Sequence, residues 1–438
     1  MKHLTTLFAS VLLSFTFSTT VMADEATAKP LIYEELPDMS TPRLGHASFI
    51  TANGDIVVVG GHTTGFRLTS TAERLHDGEW ESLSITNPHD GAAVVTLPDG
   101  RVLVGGGFSS GSGVGQSKVC DIYNPETNTF STTSGFKVNR AFCNAVATGI
   151  DNNILVSGNW YNNDDVFELW DGNEFTTISA NKNPMNAPHM VSDGEGVVFV
   201  FGTDNNYGSK GNVSAYMVNT VENRVEEFTI PELDGYWVQP VICGMEPATS
   251  MTADGNYIFL AYHNENKVYE LFRMDATTGI VSQVVNIPAY VPETDIPLSV
   301  RSGIIVNKNR NEAYVCGEHQ NTDGTWAAVV VTYNLTTHTT TVFHGGNFSY
   351  HPINGSWALQ QTTGNIILTG GSVSNNFDAV ATAFVVTPFD GTDGISSVSS
   401  VQSSVTGRYS IDGRRLSAPV RDINILRTSD GVRKVLVK

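Results

Sequence analysis

Seven of the eleven histidines stand at the edges of β-branched runs. His46, His89, His189 and His351 come just before such a run, while His62, His263 and His319 come just after the next one. Arg43, Asp90, Arg140, Glu246, Arg301 and Tyr350 share the first position; Trp160, Tyr161, Asp204 and Glu318 share the second. Imidazoles, guanidiniums, phenols and carboxylates gathered in one place can transfer protons, hold an anion or ligate a metal. His62, His89, Arg140, Trp160, Tyr161, Trp237, His263 and His319 are expected to line a ligand-binding face, with His189, His351, Tyr350 and Arg301 as candidate catalytic groups. Aromatic faces beside hydrogen-bonding groups suit sugar rings. Trp160-Tyr161 and Tyr236-Trp237 lead the aromatic candidates, ahead of Phe66, Tyr207 and Phe348, because each pair sits in a polar, turn-rich insertion. No cofactor is predicted, although the histidine set would accommodate a divalent metal. Each histidine alone has a plainer explanation, satisfying backbone groups at a strand end. His46 in "RLGHAS" fits that explanation better.

The elements that would position these groups repeat along the chain. "DIVVVGG", "RVLVGGG", "NILVSGN", "GVVFVFG", "NYIFLAY", "EAYVCGE" and "NIILTGG" end at or near residues 61, 106, 158, 202, 262, 317 and 371, spaced 45, 52, 44, 60, 55 and 54 apart. That spacing surrounds the period of four-stranded propeller blades. Asn53-Gly54, Asp99-Gly100, Asp254-Gly255 and Gly364-Asn365 supply hairpin turns between first and second strands. Helical periodicity is absent, so the chain is all-β. Antiparallel pairing brings the start of each first strand and the end of each second strand to one face of the ring. The double glycine Gly60-Gly61 would deliver His62 there. The seventh unit has only three strands before Pro388, and "LIYEEL", Leu31 to Leu36, is a spare one. Pairing the two closes a seven-bladed β-propeller over residues 31–390 and leaves no open edge.

Residues 1–23 combine Lys2, an apolar run and small residues near Ala23, the layout of a cleaved signal peptide. The protein is therefore expected to be secreted or held at the outer cell surface, not membrane-spanning, and monomeric. A net charge of −19 argues against nucleic-acid partners. Cys120, Cys143, Cys243 and Cys316 match no zinc spacing, and their pairing is open. A Ser/Gly-rich linker is expected at 391–407, followed by a β-rich tail at 408–438 with eight Lys/Arg against three Asp.

"GHASFITANGDIVVVGG" and "IYNPETNTF" resemble kelch repeats. "YHPINGSWALQQTTGNIILTGG" and "HDGAAVVTLPDGRVLVGGG" are similar to blades of the galactose oxidase family, which implies Tyr350 and His351 as copper ligands of a radical oxidase. The cysteine which that family cross-links would fall near Ala92 or Ala93, and no cysteine is there. The last thirty residues resemble sorting tails of the type IX secretion system of Bacteroidota. Seven-bladed polysaccharide lyases offer another comparison: there His or Tyr removes a proton beside a uronate whose carboxylate Arg or a metal neutralises. Arg43, Arg140 and Arg301 with His189, His351 and Tyr350 would take those parts here. The favoured expectation is a module that binds a carbohydrate or surface protein ligand, with a glycan-active lyase or sugar epimerase as the alternative and a copper oxidase behind it.

Overall fold

The computed structural model describes residues 26–110, 115–160, 165–203, 213–241, 244–374 and 378–389, and strands at 405–410, 422–428 and 431–437. It divides into two compact units, Met1–Thr387 and Pro388–Lys438. The first is a propeller of seven four-stranded antiparallel blades. Blade one is typical: Ala47–Ile50 lies innermost, then Ile56–Val59, Thr71–His76 and Glu79–Ser84 outward. The second strands "IVVV", "VLVG", "ILVS" and "IILT" are buried at every residue. A blade has a neighbour on both faces, so its central strand needs no polar side and shows no alternation. Val57 and Val59 pack onto Ala92, Val94 and Val104 of blade two, while Ile56 faces Ile367 of blade seven. Each such side chain contributes about 1.5–3 kcal/mol of burial. One apolar cluster fills each of the seven seams.

Ring closure follows the expected route. Ile32–Leu36 pairs antiparallel with Ala383–Thr387 and completes blade seven. A second N-terminal strand, Thr27–Pro30, pairs parallel with Thr340–Phe348 and adds a fifth strand to blade six. Its sequence, "TAKP", carries no strand pattern, and Pro30 is tolerated because the strand is an edge. The N-terminal segment thus fastens two blades rather than one.

Blade five departs from the repeat. Its first strand is only Tyr236–Val238, and the chain then leaves the sheet to return as the bridge Met251–Tyr257. Between these points it descends the central channel. Val241 N–H bonds Ala187 O of blade four, Gly244 O accepts from Ser48 N of blade one, and Ser250 Oγ donates to Ile304 O of blade six. Gly244 has φ of +79°, and a Cβ there would overlap His46 O, so the descent needs glycine. Glu246 was expected on the face where first strands begin. It lies at the opposite mouth, where Thr96 N–H and Oγ bond its carboxylate at 2.9 and 3.0 Å. The described part of 239–250 is a plug.

Cys120, Cys143 and Cys316 are buried free thiols, and Cys243 lies outside the described residues. Burial pushes the Cys143 thiol up to about 12. Val405–Ser410, Asp422–Thr428 and Gly431–Val437 form a three-stranded antiparallel sheet in the second unit. Its first strand begins inside the stretch read as linker. Residues 1–23, read as a signal peptide, and residues 391–404 of the stretch read as a linker lie outside the described residues.

Candidate functional site

The plug turns the upper mouth of the channel into a pocket of about 400 Å³ to which every blade contributes. A chain of backbone hydrogen bonds builds its rim: Gly91 N to Gly45 O, Phe142 N to Gly91 O, Ala187 N to Phe142 O and Val241 N to Ala187 O. These are equivalent positions of successive repeats. Gly45, Gly91, Phe142 and Ala187 have φ of 66°, 69°, 51° and 41°. Left-handed backbone costs little for glycine but strains Phe and Ala. The bonds on both sides hold Phe142 in that conformation and keep its ring in the pocket wall.

One wall is aromatic. Phe108 meets Phe142 edge-on at 5.5 Å, and Trp160 packs on Phe142 at 4.7 Å. Trp237, 38% exposed, lines the pocket from blade five. Elsewhere the lining is polar. His62 Nδ1 lies 2.9 Å from Asp90 Oδ1, and its ring stacks on Phe66 at 4.3 Å. Gly45 leaves room for this pair, since a Cβ there would overlap Asp90 Oδ1. Burial raises the Asp90 carboxyl against the pull of His62. Ten buried side-chain polar atoms have no partner among the described residues, and three of them, His46 Nδ1, Asp90 Oδ2 and Asn186 Oδ1, belong to this lining. The other seven are scattered through the blades; these three gather around one pocket.

Other sequence candidates serve the frame. His89 is fully buried, with Nδ1 3.1 Å from Gly106 O and Nε2 2.9 Å from Asp121 Oδ2. Arg140 is fully buried against Gly158 O, Val166 O, Asp165 and Glu168. Arg43 repeats the pattern with Gly60 O, Thr71 and Glu73. In blades one to three, therefore, an Arg or His before the first strand ties the glycine carbonyl ending the second strand to an acid on the third. Burial opposes ionisation of Asp121, but bonds from His89, Thr132 and Asn87 outweigh it and hold the carboxyl below its ordinary value. His46, also buried, sits 2.9 Å from Thr369 Oγ, and burial lowers it to about 3.

His189 donates through Nε2 to Gln239 O at 2.8 Å, which leaves Nδ1 to accept from Tyr257 Oη at 2.9 Å. It anchors the start of the plug, and burial lowers it to about 4. His263 Nδ1 accepts from Glu265 and Asn266 N–H and shapes the turn that carries Lys267. His319 is buried with Nε2 3.0 Å from His344 Nδ1. Tyr350 is buried in the seam of blades six and seven and accepts from Thr382 Oγ at 2.8 Å. Tyr161 lies outside the described residues.

Arg301 and His351 reach a second cavity of about 670 Å³ beside the first. His351 Nδ1 lies 2.8 Å from Glu318 Oε1, and its ring packs on Trp326 at 4.0 Å. Arg301 bonds Asn354 Oδ1, and both residues line both cavities. The four catalytic candidates thus do not converge: His189 and Tyr350 sit in separate seams. Missed by sequence reasoning were Phe108, Phe142, Asn186 and Gln239. Phe108 follows a second strand and Phe142 precedes a first one, so superposing the residues that flank these strands, repeat on repeat, could have found both.

No family model matches the sequence, and no curated protein matches it. Among solved structures, a fungal alcohol oxidase described as a novel member of the AA5 family with catalytic diversity, in complex with copper, is similar over 91% of this chain and 84% of its own, at 12% identity and a TM-score of 0.53. At that identity the likeness is one of fold. Tyr350 and His351 do not fit a copper site, because Tyr350 turns to Thr382 and His351 to Glu318. No group of three His, Cys, Asp or Glu placed to hold a metal occurs among the described residues. Ala92 and Ala93 are buried between blades. Nor is any described helix long and apolar enough to cross a membrane. This chain is a seven-bladed propeller, similar in fold to that fungal alcohol oxidase.

Proposed function

We propose that this chain is an exported, kelch-type propeller that binds a carbohydrate in its upper central pocket. One observation carries the reading: a 400 Å³ cavity with an aromatic wall, in whose lining three buried polar atoms lack partners. Its volume falls in the range of about 300–1,000 Å³ usual for small-ligand sites. A sugar presents an apolar C–H face to rings such as Phe108, Phe142 and Trp237, while its hydroxyls donate to Asp90 Oδ2 and Asn186 Oδ1. Each unsatisfied buried acceptor costs about 1–3 kcal/mol, which a ligand hydroxyl recovers. Export rests on the leader at residues 1–23, and surface display on the basic tail.

Titrating the mature protein with a glycan panel, followed by tryptophan fluorescence, tests the reading. Trp237→Ala is expected to weaken binding about tenfold or more with an unchanged melting temperature. A panel without a ligand, or a variant that binds like the parent, would defeat it. The His62–Asp90 pair favours the enzymatic alternative, since a carboxylate-oriented imidazole is the arrangement of a general base. If glycan turnover exists, Asp90→Asn should abolish it, beyond the loss of binding expected from removing the Oδ2 acceptor; unaltered turnover would remove His62 from that role.

A further inference from the structure

The second cavity and the central pocket meet at Arg301 and Asn354, the polar side chains that line both. We propose that they are two subsites of one site for the end of an acidic oligosaccharide, with Arg301 at the junction and Lys267 farther out binding its carboxylate or sulfate groups. The inference rests on the carbohydrate reading of the central pocket and adds the charge and direction of the ligand.

Arg301 is set up for this by a bulge. In the first strand of blade six, Val300 pairs with Gly317, but the next pair is Ile304 with Val315, so three residues lie opposite one. Such an irregularity lifts a side chain out of the sheet and commonly re-aims it next to a site. Asn354 Oδ1 then fixes the guanidinium, and Asn354 Nδ2 is itself tied to Ser372 Oγ at 2.8 Å. A planar fork held this way suits carboxylate or sulfate oxygens.

The charge balance points the same way. Among the described residues, the charged or titratable side chains that line the second cavity are Lys267, Arg301, Glu318 and His351, apart from its tyrosines. Glu318 already accepts from Ile353 N–H at 3.2 Å and bonds His351 at 2.8 Å. Lys267 and Arg301 outnumber the one carboxylate, on a chain whose net charge is −19. A basic cavity on an acidic protein attracts anions locally while the rest of the surface repels them. Tyr262 and Tyr269, 4.9 Å apart and with Lys267 Nζ 5.9 Å from the Tyr262 ring, offer an aromatic surface for a sugar ring. Because the plug closes the central pocket from below, a chain can enter that pocket only by its end.

Calorimetric titration of the full mature chain decides the matter, using uronate oligosaccharides, their neutral methyl esters and sulfated galactans. The acidic forms should bind about tenfold or more tightly than the esters, with the advantage shrinking as salt rises. Arg301→Gln should erase that advantage, bringing acid and ester to the same affinity whatever the loss of this lining residue costs both forms. Preference for uronates over galactans identifies carboxylate as the anion, and the converse identifies sulfate. Equal affinity for acids and esters, or an Arg301→Gln variant that keeps the preference, overturns the inference alone. Failure of every oligosaccharide to bind overturns it together with the carbohydrate reading.

Discussion

Arg140 stands just before the first strand of blade three and Arg301 in the bulge of the first strand of blade six, and their substitutions should have opposite consequences. Arg140→Gln removes a fully buried guanidinium from two buried carboxylates and two carbonyls. Losing one partner of a buried ion pair costs about 3–5 kcal/mol, because the other charge stays behind in low dielectric. Here some compensation survives. Asp165 keeps Ser157, Gly158 N–H and Asn181, and Glu168 keeps Lys137 and Val138 N–H. The lower end, about 3 kcal/mol, is therefore expected. At about 2 °C or less per kcal/mol for a domain of this size, the melting temperature should fall by roughly 4–6 °C. Arg301→Gln removes a partly exposed side chain and should shift it by no more than about 1 °C. Differential scanning calorimetry of both variants at matched pH and salt reads the contrast. Equal melting temperatures would refute the assignment of Arg140 to the frame.

Further outcomes follow from the same structure. His46 and His189 are held neutral by burial, at about 3 and about 4. Their contribution is fully present above an unfolded value near 6.5 and is lost as pH falls toward those values. It is on the order of 3 kcal/mol for His189 alone, so denaturant titrations should show stability falling from pH 6.5 to 4, and a flat profile would contradict the burial argument. Gly244→Val places a Cβ where His46 O already lies and should lower stability by at least about 2 kcal/mol, measured in urea. Deleting residues 27–36 removes the pairing on both blade six and blade seven, and should broaden or abolish the cooperative thermal transition.

Much of this fold was legible because its signals are local. Each β-branched run ending at its strand break became a second strand, and the missing fourth strand of blade seven was supplied by Ile32–Leu36. The plug was not legible. "QPVICGMEPATS" has the composition of a surface loop, and only its contacts with blades one, two, four and six reveal a path through the channel. The basic side chains near the starts of the first strands are there for two different reasons. In blades one to three Arg43, His89 and Arg140 are locked to Glu73, Asp121 and Glu168, whose offsets from the glycine break vary from repeat to repeat. In blade six the bulge frees the corresponding position, and Arg301 reaches the cavities. Sequence spacing cannot separate these cases, because the difference lies in the strand register. The pocket's other polar groups, Asn186 and Gln239, carry no repeat signal of their own.

The central claim is that the upper pocket is a ligand site for sugar. Its most direct test is to locate an oligosaccharide crystallographically in the mature protein. The terminal ring should lie against the Phe108, Phe142 and Trp237 wall, with hydroxyls within hydrogen-bond distance of Asp90 Oδ2 or Asn186 Oδ1. A saccharide bound on the blade flanks or at the lower mouth beside Glu246, with the upper pocket holding only solvent, would contradict it.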